Sequence, residues 1–149
     1  MAKRFRFRLE PLLHLRAALE KDAERSLARA LQEERRLEAE LEALAQARTA
    51  TFESRRSEPG RFLDLQAWRD AERHLVVIER KVMEVGEALV LARGRTEACR
   101  EALRRAHRDR LSLERLKERR QEQHDQEQAK LEAIQLDELA VMRFRRRSA

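Results

Sequence analysis

One Pro-Gly step, Pro59-Gly60, separates two long stretches in which apolar residues recur at alternating three- and four-residue spacing. This spacing is typical of helices that pack along a narrow seam. The sequence therefore predicts an all-α fold, a long antiparallel two-helix coiled-coil hairpin with a C-terminal single-helix overhang. Helix one is expected over about residues 5–56, the turn over about 57–62 and helix two over about 63–145.

The second stretch carries the more regular seam, interrupted by one polar residue, Arg110. Its seam positions are Trp68, Ala71, Leu75, Ile78, Val82, Val85, Leu89, Ala92, Thr96, Cys99, Leu103, Ala106 and Leu113. The first stretch is a noisier copy of the same period, with Arg16, Glu20 and Glu34 as polar residues among its apolar positions. These apolar positions are Leu9, Leu13, Ala23, Leu27, Ala30, Leu37, Leu41 and Leu44.

Composition favours such a seam over a broad globular core. Of the 149 residues 42% are charged and only 4% are aromatic, so we expect one coiled-coil domain over residues 1–149. The apolar runs are far shorter than the roughly 20 residues of a membrane span, so no transmembrane segment is expected. The single cysteine, Cys99, rules out an internal disulfide, fits a reducing cytoplasm and is expected to be a small core residue.

Motifs for catalysis, metal binding or nucleotide binding are absent from the sequence. The four histidines are far apart, no two of them are separated by four residues, and no phosphate-binding glycine loop or nucleophile elbow occurs. The sequence therefore predicts no enzyme activity, no cofactor and no metal.

Centring the turn on Pro59-Gly60 gives a self-consistent helix pairing, whose register could slip by one turn. Partner residues should have numbers that add up to about 119, which places Leu37 near Val82 and leaves Glu34 beside Val85. Helix one can then pair only as far as about position 118, so about thirty residues of helix two overhang.

The overhang begins with a stretch, residues 117–128, that contains no apolar residue. An amphipathic stripe follows, formed by Leu131, Ile134, Leu139, Val141, Met142 and Phe144. Because nothing in the same chain remains to bury it, this stripe predicts a partner protein. The alternatives are a frayed tail or a dimer contact.

Charge is concentrated at the end of the hairpin opposite the turn. Residues 1–16 carry a net charge of +4, residues 104–120 carry +5 and residues 143–147 carry +4, in a chain whose total is +6. The first two blocks meet at this open end, where Phe5 and Phe7 are interleaved with arginines. Such a surface suits an acidic partner or a nucleic acid.

Both ends of the chain carry distinctive runs. The N-terminal run from Phe5 to Arg16 reads FRFRLEPLLHLR and is followed by Glu20 and Ala23. The far end carries LERLKERR over residues 113–120, then Asp137-Glu138-Leu139-Ala140 and Arg143. These two ends resemble those of the flagellar FliJ family of the flagellar type III export apparatus.

The resemblance implies a stalk whose open end enters the hexameric export ATPase and promotes ring assembly and ATP hydrolysis. Further partners implied are the membrane export gate protein and export chaperones. The expected location is cytoplasmic, peripheral at the cytoplasmic face of the inner membrane, and the hairpin is expected to be monomeric.

The residues that the resemblance assigns to the ATPase contact lie at the open end. They are Phe5, Phe7, Arg8, Arg16, Lys117, Arg119, Arg120, Asp137, Glu138 and Arg143. Contact with the gate is implied nearer the turn, around Trp68, Leu75 and Ile78. These three also occupy seam positions, which favours a structural role for them.

Three other interpretations remain open at this point. One is the equivalent stalk of a virulence-type secretion system. Another is a basic coiled coil that binds nucleic acid, although residues 121–142 carry a net charge of −5 and would repel phosphate, so no nucleic acid is expected. The last is a parallel homodimeric tether, against which the Pro-Gly break argues.

Overall fold

The computed structural model describes residues 3–55 and 64–148. These residues form two helices, α1 over Glu10–Ser54 and α2 over Leu65–Ser148, and no strand occurs among them. The predicted all-α class, with two long helices, is confirmed. The predicted turn at about 57–62, including Pro59-Gly60, lies outside the described residues.

Both helices start where local chemistry satisfies their first backbone amides. Before α1 the chain is not helical and ends in a turn at residues 8–9, and the helix begins at Glu10 rather than at about residue 5 because Pro11 lacks an amide hydrogen and fits only the first turn. At the start of α2, the Asp64 carboxylate accepts hydrogen bonds from the backbone amides of Gln66 and Ala67, at 3.0 and 3.2 Å. Asp64 is therefore the N-cap of α2.

The chain divides into two compact units, which we name by their position in the sequence. The terminal unit combines Met1–Lys21 with Arg104–Ala149, and the central unit is Asp22–Leu103. In each unit a segment of α1 packs antiparallel against a segment of α2. The expectation of one domain over residues 1–149 stays a prediction.

The core of the central unit is a narrow apolar cluster. Leu37, Val85, Leu89 and Ala92 are buried, and Leu41, Leu44 and Ala88 pack against them. Six predicted seam positions of α2 are buried, which confirms the seam there: Leu75, Ile78, Val85, Leu89, Ala92 and Thr96. The first predicted position, Trp68, is exposed instead.

The predicted pairing of the two helices is wrong by about eight residues. In the central unit Arg48 pairs with Glu79 and Arg55 with Glu72, so partner numbers add up to about 127 and not 119. The difference is a little over two helical turns. Because a heptad pattern repeats every seven residues, a slip of about one heptad still places apolar residues opposite each other, and the apolar spacing alone cannot fix the register.

A buried polar contact accompanies the observed register. Thr96 is 1% exposed, and its hydroxyl donates to the Glu34 carboxylate at 2.8 Å. The guanidinium of Arg93 lies 3.6 Å from the same carboxylate. In the predicted register Glu34 would have faced Val85 without a partner, which is unfavourable for a partly buried carboxylate.

Leu37 tests the seam directly. We expect Leu37→Ala to lower the free energy of unfolding by about 2–4 kcal/mol, because the side chain is 4% exposed and its loss leaves a cavity. The matched control Leu19→Ala, at a position that is 44% exposed, should lower it by less than about 1 kcal/mol. Urea denaturation followed by circular dichroism measures both, and equal losses would place Leu37 outside the core.

Candidate partner-binding site

The non-helical N-terminal segment, residues 3–9, lies along α2 within the terminal unit. The Nε2 of His124 donates a hydrogen bond of 2.8 Å to the backbone carbonyl of Lys3. The Phe5 ring lies against the His124 ring, with centroids 5.6 Å apart and planes inclined by 49°. The segment is thus docked on α2 although it is not helical.

A groove of about 250 Å³ lies between this segment and α2. Its lining residues are Phe5, Arg6, Phe7, Arg8, Leu9, Leu116 and Arg120. Phe5 and Phe7 are half-buried, whereas Arg8 and Arg120 are exposed. Four of the predicted contact residues therefore meet in one groove that combines aromatic rings with guanidinium groups.

Two other predicted contact residues are engaged in ion pairs between the helices. The Arg16 guanidinium lies 3.4 Å from the Asp109 carboxylate, and the Lys117 ammonium lies 2.9 Å from the Glu10 carboxylate. These pairs connect α1 to α2 in the terminal unit. Arg16 and Lys117 therefore have a structural contact. Arg119, two residues after Lys117 on α2, is exposed.

Glu20 is the centre of a polar cluster that sequence reasoning did not identify as a unit. It is 8% exposed, and its carboxylate accepts hydrogen bonds from the Arg110 Nε and, at 2.9 Å, from the His107 Nδ1. Arg110 also donates to Glu114 at 2.5 Å. The bond from Arg110, and then that from His107, holds the pKa of Glu20 below its usual value of 4.5.

This cluster joins two irregular positions of the predicted seam. Glu20 is a polar position in the first stretch and Arg110 is the polar position in the second. In the sequence, each of these two residues interrupts an otherwise apolar row, and their charges are opposite. The predicted register kept them apart, so their opposite charges did not reveal the contact.

The overhang is confirmed as a single helix that nothing in the described chain covers. The last described residue of α2 with a hydrogen bond to the N-terminal segment is His124, and residues 129–148 are all exposed. The overhang therefore starts later than the predicted position of about 118, as the corrected register requires. In this structure we define it as residues 129–148.

Asp137, Glu138 and Arg143 lie on this overhang. A shallow surface is lined by Ile134, Asp137, Glu138, Val141, Met142 and Arg145. Leu136, which is outside the predicted stripe, is also exposed. Since two residues along a helix differ by about 200° around its axis, Leu136 and Ile134 point to opposite sides. Apolar side chains thus face outward on more than one side of the overhang.

The residues near the predicted turn behave differently from one another. Leu75 and Ile78 are buried in the seam, which confirms their structural role. Trp68 is partly exposed, and the Arg55 guanidinium lies 3.7 Å from the centre of its ring. This distance is that of a cation–π contact, which covers one face of the indole.

Two further features bear on function. No helix among the described residues has an apolar stretch with the length and hydropathy that crossing a membrane requires. Within residues 3–55 and 64–148, no three His, Cys, Asp or Glu side chains are grouped so that they could hold a metal ion.

A protein-family model described as "Flagellar FliJ protein" matches residues 5–149. The chain belongs to the FliJ family. The FliJ match covers nearly the whole chain, including the N-terminal segment from Phe5 onward, both helices and the overhang. It identifies a component of flagellar export, in a family of structural proteins rather than enzymes. A search of curated proteins gave no significant match, and a search of solved structures gave none either. The assignment of the ten open-end residues to a partner contact stays a prediction.

The lowered pKa of Glu20 predicts an acid-dependent loss of stability. A carboxyl group whose pKa is lower in the folded state stabilises the fold above its unfolded pKa, and this contribution is lost as the pH falls below about 4.5. We expect Glu20→Gln to lower the melting temperature at about pH 7 and to lose less on going to about pH 3.5 than the wild type does.

Thermal denaturation across this pH range measures the effect. Glu24→Gln, which changes an exposed glutamate of the same helix, is the control and should follow the wild type. If Glu20→Gln and Glu24→Gln behave alike at both pH values, Glu20 is not held by Arg110 and His107 in solution.

Proposed function

We propose that this protein is the stalk of the flagellar type III export ATPase. In this proposal the open end, with the groove and the overhang, enters the hexameric ATPase and promotes its assembly and its ATP hydrolysis. The protein works without catalytic residues of its own, at the cytoplasmic face of the inner membrane, and connects the ATPase to the export gate and to export chaperones.

The uncovered overhang is the observation that carries this proposal. Seven large apolar side chains of residues 129–148 are more than half exposed: Leu131, Ile134, Leu136, Leu139, Val141, Met142 and Phe144. Full burial of one such side chain is worth about 1.5–3 kcal/mol, so a partner that covers several of them gains substantial binding free energy. Because these side chains lie on more than one side of the helix, a partner that surrounds the overhang buries more of them than a flat surface does.

Charge in the terminal unit supports the same partner. The groove presents Arg8 and Arg120 next to the half-buried rings of Phe5 and Phe7. Acidic loops inside a ring would pair with these guanidinium groups, while the rings supply apolar contact. Asp137 and Glu138 add negative charge on the overhang, so the partner should present basic groups opposite these two carboxylates.

The region around the partly exposed Trp68 is the part of the central unit that we assign to the export gate. Its indole keeps exposed surface despite the Arg55 guanidinium on one face, whereas Leu75 and Ile78 are buried and unable to reach a partner. Substitution at Trp68 is therefore the informative change for gate binding, and substitutions at Leu75 or Ile78 act through stability.

Removal of the overhang tests the stalk role. A chain that lacks residues 129–149 retains both His124 and Lys3, which share a hydrogen bond in the full chain, so we expect the groove to be preserved. We expect this truncated chain to lose most of the stimulation of ATP turnover and of hexamer formation by the cognate export ATPase. Both are measured at several concentrations of the truncated and full-length chains.

Point substitutions separate side-chain contact from helix length. The double change Ile134→Asp and Val141→Asp should weaken the apparent affinity for the ATPase by about tenfold or more, since two apolar side chains are replaced by charges. Gln126→Asp, at an exposed position before the overhang, is the matched control. Turnover and assembly that are unchanged by both the truncation and the double substitution would rule out the overhang as the ATPase contact.

The basic groove makes a separate prediction about association rate. Arg8→Glu should slow binding to the ATPase at low ionic strength, and the difference from wild type should shrink as salt is added, because screening weakens attraction between exposed charges. Arg29→Glu, an exposed arginine of α1 in the central unit, controls for net charge. Stopped-flow binding measures the association rates of both variants. Equal rates would show that the groove does not contribute to the encounter with the ATPase.

A further inference from the structure

The two compact units differ in the kind of contact that joins α1 to α2. Among the described residues, six of the seven buried apolar side chains lie in the central unit. The seventh, Leu13, is the one buried apolar side chain in the described part of the terminal unit. Other apolar side chains there, such as Phe7, Leu113 and Leu116, are only half-buried. Apolar burial therefore stabilises the terminal unit less than the central unit.

Ion pairs join α1 to α2 along the length of the terminal unit. They occur in the first turn of α1, near the middle of its segment in this unit, and one residue before the last residue of that segment. Each contact has one carboxylate and at least one cationic side chain from the opposite helix. The contacts are Glu10 with Lys117, Arg16 with Asp109, and Glu20 with Arg110 and His107.

These contacts differ in how strongly added ions affect them. The side chains of the Glu10–Lys117 and Arg16–Asp109 pairs are 34% to 54% exposed, and exposed ion pairs weaken as ionic strength rises. The Glu20 carboxylate is more buried. If it lost one cationic partner while the helices stayed together, charge would remain unpaired in a buried place, which is unfavourable. We therefore expect the Glu20 cluster to separate as a whole.

We propose that the terminal unit is an ionic clasp, in which residues 10–21 of α1 separate from α2 as one body when anions compete for the cations of these contacts. The central unit stays paired under the same conditions. Ion pairs such as Arg48–Glu79 flank its seam as well, but their loss leaves the buried row around Leu37 and Leu89 in place. Salt does not screen apolar contacts of this kind.

Opening of the clasp frees two of the predicted contact residues. In the closed unit the cationic groups of Arg16 and Lys117 are paired with Asp109 and Glu10. An acidic partner that binds these two cations takes the place of the two carboxylates, and its binding therefore favours the open state.

Only the identity of that acidic partner as the export ATPase rests on the proposed function. The clasp itself is a property of the chain alone, and its opening can be measured without any ATPase. A clasp that opens in a chain without effect on ATP turnover contradicts the stalk role, whereas a closed clasp in a chain that stimulates turnover contradicts the present proposal.

Distances between spin labels measure the opening in the full-length chain. In a Cys99→Ser background, Leu15→Cys with Ser112→Cys reports on the terminal unit, and Ala43→Cys with Glu84→Cys reports on the central unit. All four labelled positions are exposed. Between about 0.05 M and about 1 M NaCl, the population with a long distance in the terminal unit should rise about threefold or more, because screening becomes much stronger over this range. The distance in the central unit should stay unchanged.

An acidic polypeptide tests competition directly. At low ionic strength, poly-L-glutamate should lengthen the distance in the terminal unit, whereas dextran, an uncharged polymer, should leave it short. If poly-L-glutamate binds the chain and the distance stays short, acidic groups do not displace the carboxylates of the clasp and the proposal is wrong.

Charge substitutions test which contacts close the clasp. Arg16→Asp should open the terminal unit even at low salt, because it places a like charge beside Asp109, and adding Asp109→Arg should close it again. Arg29→Asp, which changes an exposed arginine of α1 in the central unit, should leave both distances unchanged. Circular dichroism verifies that each variant is folded.

Replacement of the buried ion pair tests the opposite direction. Glu20→Leu combined with Arg110→Leu should keep the terminal unit closed at about 1 M NaCl, because an apolar pair at this position is not screened. The proposal is overturned if salt lengthens the distances of both units together, since the hairpin then opens as a whole. It is equally overturned if salt changes neither distance and Arg16→Asp leaves the terminal unit closed.

Discussion

A narrow seam between two antiparallel helices is the constraint on which the rest of this structure depends. Each helix contributes one row of small and medium apolar residues, represented in the central unit by Leu37, Val85, Leu89 and Ala92. Only a thin stripe of each helix is removed from water, so most of the surface stays available for charge and for contacts with other proteins. A chain with 42% charged residues has enough apolar side chains for such a seam, but too few to fill a globular interior.

Polar residues in the seam specify the register of the two helices, which the apolar residues alone cannot do. Each of the three polar positions of α1 has a partner across the seam: Arg16 has Asp109, Glu20 has His107 and Arg110, and Glu34 has Thr96. A slip by one heptad would keep the apolar contacts but separate all of these partners. Buried polar pairs are a known means of fixing register, and here they occur in both compact units.

The sequence was sufficient for the fold class, the seam positions and the overhang, because each depends on local periodicity or on unequal helix lengths. It was insufficient for the register, since centring the turn on Pro59-Gly60 missed the observed pairing by about eight residues. The Glu20 cluster was missed for the same reason. The non-helical segment before α1 could have been anticipated from Pro11, which limits how early a helix can begin. Its docking through His124 could not, because that contact joins residues 121 positions apart.

The attachment of the N-terminal segment has an evolutionary consequence. His124 holds this segment through the main-chain carbonyl of residue 3, a group that all amino acids possess. Substitutions at position 3 should therefore accumulate freely among relatives without detaching the segment, whereas position 124 must retain a side chain able to donate from the same place. Across the family, position 3 should therefore vary much more than position 124, although the two positions share one hydrogen bond.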